Sequence, residues 1–299
     1  MISKLTELIE IARRKPMCRI AVAAAEDKEV LKALKEAVEL QIVHPILVGN
    51  KRAIADIARS IDFDLKGIET IDHNGSTSGS AEIAVSLVKK GEADILMKGF
   101  LNTGELLKAV LDKHNGIRAT QVLSHVAFME SPYYHKLLGV TDVAMNIAPD
   151  LDTKTHIIRN AAEASRRLGT DNPKVAVVAA VETVNPKMEA TVHAAMLKEM
   201  NREGKLTGCI VEGPFALDIA VDKQAALHKG IDNAVAGDSD IILVPDIEAG
   251  NILYKALNFL GGAASAAIVM GASAPIVLTS RSDDERSKLL SVALAAVIR

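Results

Sequence analysis

The chain has 299 residues, 49% hydrophobic and 24% charged, with a formal net charge of −3. That balance excludes a disordered chain, and the length points to two domains of ordinary size. With no basic excess, no Trp, three Tyr and five Phe, it lacks the basic stripe and the stacking surface of a nucleic-acid binder.

The opening stretch "MISKLTELIEIARRK" places Ile2, Leu5, Leu8 and Ile9 on one helical face. It has no continuous apolar core before a cleavage site and so does not read as a secretory signal. Short Val- and Ile-rich runs then alternate with helical patterns. "RIAVAA" precedes a helix reaching Leu40, "HPILVG" precedes residues 51–60, "GIETID" precedes 81–90 and "ADILMKG" precedes 103–112. In the middle, "LSHVAFMES" and "HKLLGVTDVAMNI" follow each other without a helix between them and read as consecutive strands, one of them antiparallel. Later, "KVAVVAA", "GCIVEG", "DIILVP" and "APIVLT" each lead into a helical or loop segment. Continuous apolar strands between helices predict an α/β fold with mostly parallel sheets, and the change of domain is expected near Leu138. Cys18 and Cys209 form no CxxC and fit small buried residues in a reducing compartment. No apolar run approaches the roughly 20 residues of a membrane span. A cytoplasmic protein with no membrane partner is the expectation.

Ligands of open α/β sheets bind at the carboxyl ends of strands, where loops enter helices. Four such places carry chemistry. In "LMKGFLNTGELL", Lys98 ends a strand, Gly99 follows, and Asn102 and Thr103 can cap the next helix. A cation beside a helix start suits an anion. In "LTSRSDDERSKLL", Ser282 and Glu285 fit a capping box, with Asp283 and Asp284 in the first helical turn. Ser280 and Arg281 lie outside that account; Arg offers a planar fork for phosphate and Ser a donor to developing negative charge. "VPDIEAGNILYKAL" puts Asp246 and Glu248 at a strand end before Gly250 and Asn251, where the acids can hold a metal, act as a base or cap backbone amides. "CIVEGPFALD" puts Glu212, Gly213 and Pro214 at another strand end.

Other segments are weaker. "GSTSGS" is rich in small residues but has no P-loop ending, and reads as a loop with a serine cap. No GxGxxG occurs. Ser124, on the "VLSHVAFME" strand, is a substrate-binding candidate, while His125 reads as a strand histidine satisfied by a backbone partner. The eight histidines show no HxxxH or HxH spacing, so no metal site is expected.

Taken together, "KGEADILMKGFLNTGELLKAV", "VEGPFALDIA", "VPDIEAGNILYKAL" and "TSRSDDE" resemble the phosphate acetyl/butyryl transferase family. "MKGFLNT" looks like its butyryl branch, the phosphate butyryltransferases; the acetyl branch usually has a serine-glycine and histidine-threonine loop there. The resemblance implies two α/β domains of the isocitrate/isopropylmalate dehydrogenase type with the active site in the cleft between them. Residues 1–138 and 267–299 would form the discontinuous first domain, and 139–266 the second. It also implies that acyl-CoA and phosphate give acyl phosphate and CoA, with no metal, no further cofactor and no covalent acyl-enzyme, in a homodimer or larger assembly. Ser280, Arg281 and Asp283 would then be catalytic. Lys98, Gly99, Asn102, Thr103 and Ser124 would bind substrate, with Asp246, Glu248 and Asn251 supporting them from behind. One departure stands out: the acetyl branch has an aspartate, assigned as base for the CoA thiol, seven residues after the motif serine, where this chain has Ser287. A phosphate acetyltransferase is the alternative within the class. A metal-dependent NAD(P) oxidoreductase on the same fold, using Asp246, Glu248 and Asp283 as ligands, is the alternative outside it, and a binding protein that has lost its chemistry is a third.

Overall fold

A computed structural model of the chain describes residues 2–280 and 283–299. In chain order, helix α1 (Leu5–Arg14) is followed by β1 (Cys18–Ala23), α2 (Lys28–Glu39), β2 (Val43–Gly49), α3 (Lys51–Ser60) and β3 (Glu69–Asp72). Next come α4 (Thr77–Lys89), β4 (Ile95–Lys98), α5 (Thr103–Val110), β5 (Ser124–Glu130), β6 (Leu138–Thr141) and α6 (Leu151–Arg167). Then follow β7 (Lys174–Val178), α7 (Glu189–Arg202), β8 (Ile210–Phe215), α8 (Leu217–Val221), α9 (Lys223–His228) and β9 (Ile241–Leu243). The series closes with α10 (Ile247–Phe259), β10 (Ala264–Met270), β11 (Ile276–Val277) and α11 (Glu285–Ile298).

Strand composition explains the class. Ile20 to Ala23 in β1, Ile46 to Val48 in β2 and Ile241 to Leu243 in β9 are buried without alternation, as a sheet covered on both faces requires. Asp27, Asn50, Ser76 and Asp150 each precede a helix and accept from a first-turn N–H, satisfying donors that the helix itself cannot.

These elements gather into two compact units. The discontinuous unit comprises Thr6–Gln121 and Ala266–Arg299, with strand order β3-β2-β1-β4-β11-β10. Its neighbours pair in parallel, apart from β10 with β11. The middle unit comprises Val122–Ser265 and the chain up to Leu5, with strand order β5-β6-β9-β7-β8. Here β5 and β6 run antiparallel and the other neighbours parallel. The units change at Gln121/Val122 rather than near Leu138. The reason is the antiparallel pair, in which Val126 stands opposite Thr141 and Met129 opposite Leu138; a cut at Leu138 would separate two bonded strands.

In the discontinuous unit, α11 packs against α2 and β11, and every residue from Lys288 to Ile298 is buried. A helix so covered has little use for a polar face. Among the described residues no helix is long and apolar enough to cross a membrane.

The amino ends of β6, β7 and β9 are joined by charge. Asp240 accepts from Lys136 Nζ at 2.6 Å and from the Lys174 amide at 2.8 Å. Asp238 accepts from His135 at 2.8 Å and also from Lys136 and Lys174. Burial opposes ionisation of Asp238, but the hydrogen bonds from Lys174, Lys136 and His135 outweigh it and hold its carboxyl well below the usual range.

Asp240→Ala leaves the largely buried Lys136 with Asp238 as its remaining carboxylate and strips the Lys174 amide of its acceptor, and is expected to cost about 2 kcal/mol in urea unfolding at neutral pH. For Asp238 the folded pKa lies below the unfolded value of about 3.9, so its stabilisation is present above that pH and is lost as pH falls through the folded value. Since Asp238 is 38% exposed, screening limits the effect to about 1 kcal/mol. The stability gap between the native protein and Asp238→Asn should therefore be open near neutral pH and close as the pH is lowered below about 4.

Candidate active site

Two loops of the discontinuous unit start side by side because β4 and β11 are parallel neighbours, with Leu96 opposite Ile276 and Met97 opposite Val277. One runs from β4 to α5 and the other from β11 to α11, so residues far apart in sequence leave the same edge of the sheet.

In the first loop, Lys98 is 6% exposed, and its ammonium donates to the carbonyls of Gly99 at 3.1 Å and Leu101 at 3.2 Å. Backbone oxygens thus replace part of the hydration the charge has lost. Gly99 runs against β1's end: its N–H donates to Ala23, and a Cβ there would stand 2.1 Å from the Ala24 carbonyl oxygen. Asn102 is the N-cap of α5 and Thr103 its first residue. Asn102 is exposed, and its N–H donates to Glu105 Oε2 at 3.0 Å.

Glu105 does more than close that cap. Its other oxygen accepts from the hydroxyls of Thr77 at 2.9 Å and Ser78 at 3.1 Å, in the first turn of α4. The Asn102 amide, then these hydroxyls, hold its carboxyl below the usual range. One carboxylate therefore serves the amino ends of two helices, where negative charge is favoured. The "GSTSGS" stretch is the start of α4, capped by Ser76 on the Gly79 amide.

In the second loop Ser280 is exposed; its N–H donates to Asp283 Oδ2 at 2.7 Å, and the Asp283 N–H returns to the Ser280 carbonyl at 3.3 Å. Lys288, 2% exposed, donates from Nζ to the Ser280 carbonyl at 3.2 Å and to the Asp283 carbonyl. Arg281 and Ser282 lie outside the described residues. The expected helix start is corrected: Asp284 is the N-cap, accepting from the Ser287 amide at 2.8 Å, and α11 begins at Glu285. Asp283 is outside the helix because its carboxylate turns back to Ser280, leaving the helix amides to Asp284.

The middle unit holds the remaining candidates. Ser124 is buried, its hydroxyl accepting from Asn160 Nδ2 at 2.9 Å. Asp246 caps α10 through the Ala249 amide at 2.8 Å, while Glu248 is exposed on the first turn. Asn251 donates to the Val143 carbonyl at 3.2 Å, and a Cβ on Gly250 would stand 2.3 Å from the Asp142 carbonyl oxygen. Asp142 in turn accepts from the amides of Ala144 and Met145. The "VPDIEAGN" block thus joins the turn after β9 to the turn after β6.

Several residues escape the sequence reading. Lys154, 4% exposed, lies 3.0 Å from His193 Nδ1. Burial lowers the pKa of Lys154 against the pull of Glu189, Asp246 and Asp150; burial, then Lys154, lowers that of His193. An ammonium facing Nδ1 places the neutral imidazole's proton on Nε2. Nothing in the spacing of residues 154 and 193 announces this pair. Lys288 did leave a signal, as the one lysine in the apolar run "KLLSVALAAVI".

The family model described as "Phosphate acetyl/butaryl transferase" matches residues 3–83 and 76–296. The chain belongs to the phosphate acetyl/butyryl transferase family. Among its relatives, the phosphate butyryltransferase of Clostridium acetobutylicum is 43% identical over 298 residues, covering 100% of this chain and 99% of that one. The phosphate acetyltransferase of Thermotoga maritima is 44% identical over 293 residues, covering 98% and 99%. The crystal structure of a branched-chain phosphotransacylase from Enterococcus faecalis V583 has a TM-score of 0.83 at 35% identity, covering 94% of this chain and 99% of that one.

In this family member, Gly99→Ala forces a methyl group against the Ala23–Ala24 backbone. It is expected to lower stability by about 2 kcal/mol, read as a reduced urea midpoint at unchanged slope.

Proposed function

We infer that the chain is a phosphate acyltransferase, converting acyl-CoA and phosphate into acyl phosphate and CoA. Family membership over nearly the whole chain carries the reaction class and favours acyl transfer over the oxidoreductase reading. Relatives named for butyryl and for acetyl transfer are about equally similar, so overall identity does not select the acyl group. The "MKGFLNT" block supports butyryl-CoA or another short or branched acyl-CoA as the preferred substrate, with acetyl-CoA as the alternative. The finer architecture we propose is that of the isocitrate/isopropylmalate dehydrogenases, in a cytoplasmic homodimer or larger assembly.

The chemistry asks for three things. A phosphate oxygen must be held against the thioester carbon, and alignment of this kind can remove several kcal/mol of barrier, up to about 10. As the C–O bond forms, the carbonyl oxygen gains charge; one well-placed donor is worth about 3 kcal/mol there. As the C–S bond breaks, the thiolate needs a cation or a proton. We assign phosphate binding to Arg281 and donation to developing charge to Ser280, with Asp283 closing their loop. Lys98, Gly99, Asn102 and Thr103 complete the anion pocket. The parallel pairing of β4 with β11 supports this grouping, since it sets both loops on one edge. Ser124 is kept as a substrate-binding assignment, and Asp246, Glu248 and Asn251 take supporting places; the cap and backbone bonds of Asp246 and Asn251 favour that over a metal or a base.

CoA release from a panel of acyl-CoAs, followed by thiol titration, tests the reading. Release should depend on phosphate, persist with a chelator and be faster for butyryl-CoA or a branched chain than for acetyl-CoA. Turnover that instead needs NAD(P) and a divalent cation would overturn it. Arg281→Ala should lower kcat/KM for phosphate about 100-fold while the thermal midpoint moves by no more than about 2 °C; an unchanged phosphate KM and rate would remove Arg281 from the site.

A further inference from the structure

Lys288 occupies a place that physical chemistry disfavours twice. It lies near the start of α11, where the helix dipole repels a cation, and it is 2% exposed. The residues after it, Leu289 and Leu290, are apolar and buried, so an apolar side chain would suit the packing at least as well. What the ammonium does instead is reach back over the helix start. It donates to the Ser280 carbonyl at 3.2 Å and to the Asp283 carbonyl, both just ahead of the helix. The same two residues are joined by the Asp283 amide to the Ser280 carbonyl and by the Ser280 amide to Asp283 Oδ2 at 2.7 Å.

We propose that Lys288 is a positioning residue, holding the backbone of Ser280 and Asp283 through their carbonyls so that Ser280 is presented to substrate in one geometry. The assignment rests on the phosphate acyltransferase reading. It gives Asp283 the second half of the clamp: its carboxylate is engaged by the Ser280 amide and acts by shaping the turn. Lys288 touches neither phosphate nor acyl-CoA. Its effect passes through the backbone of a residue that does, and displacement of a reacting group by about 1 Å is enough to cost on the order of 100-fold in rate.

Lys288→Met keeps the length and removes the ammonium. Two readouts decide the proposal. Amide hydrogen exchange of the ligand-free protein should speed up at least about tenfold in the 279–284 segment while residues 289–298 keep their protection. In CoA release, kcat/KM for phosphate should fall about 100-fold while the KM for acyl-CoA stays within about twofold. A destabilised fold alone would lower the amount of active protein and would also speed exchange at 289–298, so rates are taken per folded protein and read beside that protection. Unchanged exchange at 279–284, or faster exchange with unchanged kinetics, would overturn the positioning role. Asp283→Ala cuts the other half of the clamp and should show the same pair of changes; it decides the matter if Lys288→Met does not fold. Should the native protein itself release no CoA with phosphate, the acyltransferase reading fails, while the exchange arm still reports on the clamp.

Discussion

The parallel pairing of β4 with β11 is the constraint on which the proposed site depends. Met97 and Val277 are 180 positions apart in sequence yet stand opposite each other in the sheet. Strand pairing fixes direction and register, so the loops that leave β4 and β11 start from the same edge. The strand that ends in Lys98 and the strand that leads to Ser280 are joined by hydrogen bonds between main chains, whatever the side chains do. The supporting layer follows: Gly99 is pressed onto the end of β1, and α11 is buried where the second loop ends.

Both loops treat a buried cation alike. Lys98 and Lys288 each sit under a turn and donate to two carbonyls of that turn, Gly99 and Leu101 in one case, Ser280 and Asp283 in the other. An ammonium has three donors and no acceptor, so carbonyl oxygens are its natural substitute for water. The carboxylates are used in the same spirit. Glu105 joins the first turns of α4 and α5, Asp246 and Asp284 cap α10 and α11, and Asp283 holds the Ser280 amide. Acids that look catalytic in one dimension are, in three, largely engaged with backbone donors.

The sequence conveyed the class well because burial on both faces leaves a plain mark, as in "RIAVAA" and "DIILVP". It also marked the loops, since a lysine, a glycine and a cap residue after an apolar run predict a strand end. Two things were not legible. The change of unit near residue 121 depends on β5 pairing with β6, and pairing partners leave no local trace. The start of α11 is ambiguous in sequence because "SDDE" offers several capping registers; the choice between them is made by Ser280, whose amide takes up the Asp283 carboxylate. Contacts between distant residues, such as Lys154 with His193 or Glu105 with Thr77, follow from the fold and from no pattern of spacing.

The discontinuity of the first unit also sets an order of assembly during synthesis. When β4 leaves the ribosome, its open edge has no partner, for β11 follows only after the whole of the middle unit has been made. The middle unit has all five of its strands by then, whereas β1 to β4 still lack both β11 and the buried α11. An exposed strand edge and an uncovered apolar face are what nascent chains aggregate through. The segment that carries β11 and α11 is therefore also the one that covers the open side of β4 and supplies the buried helix of this unit.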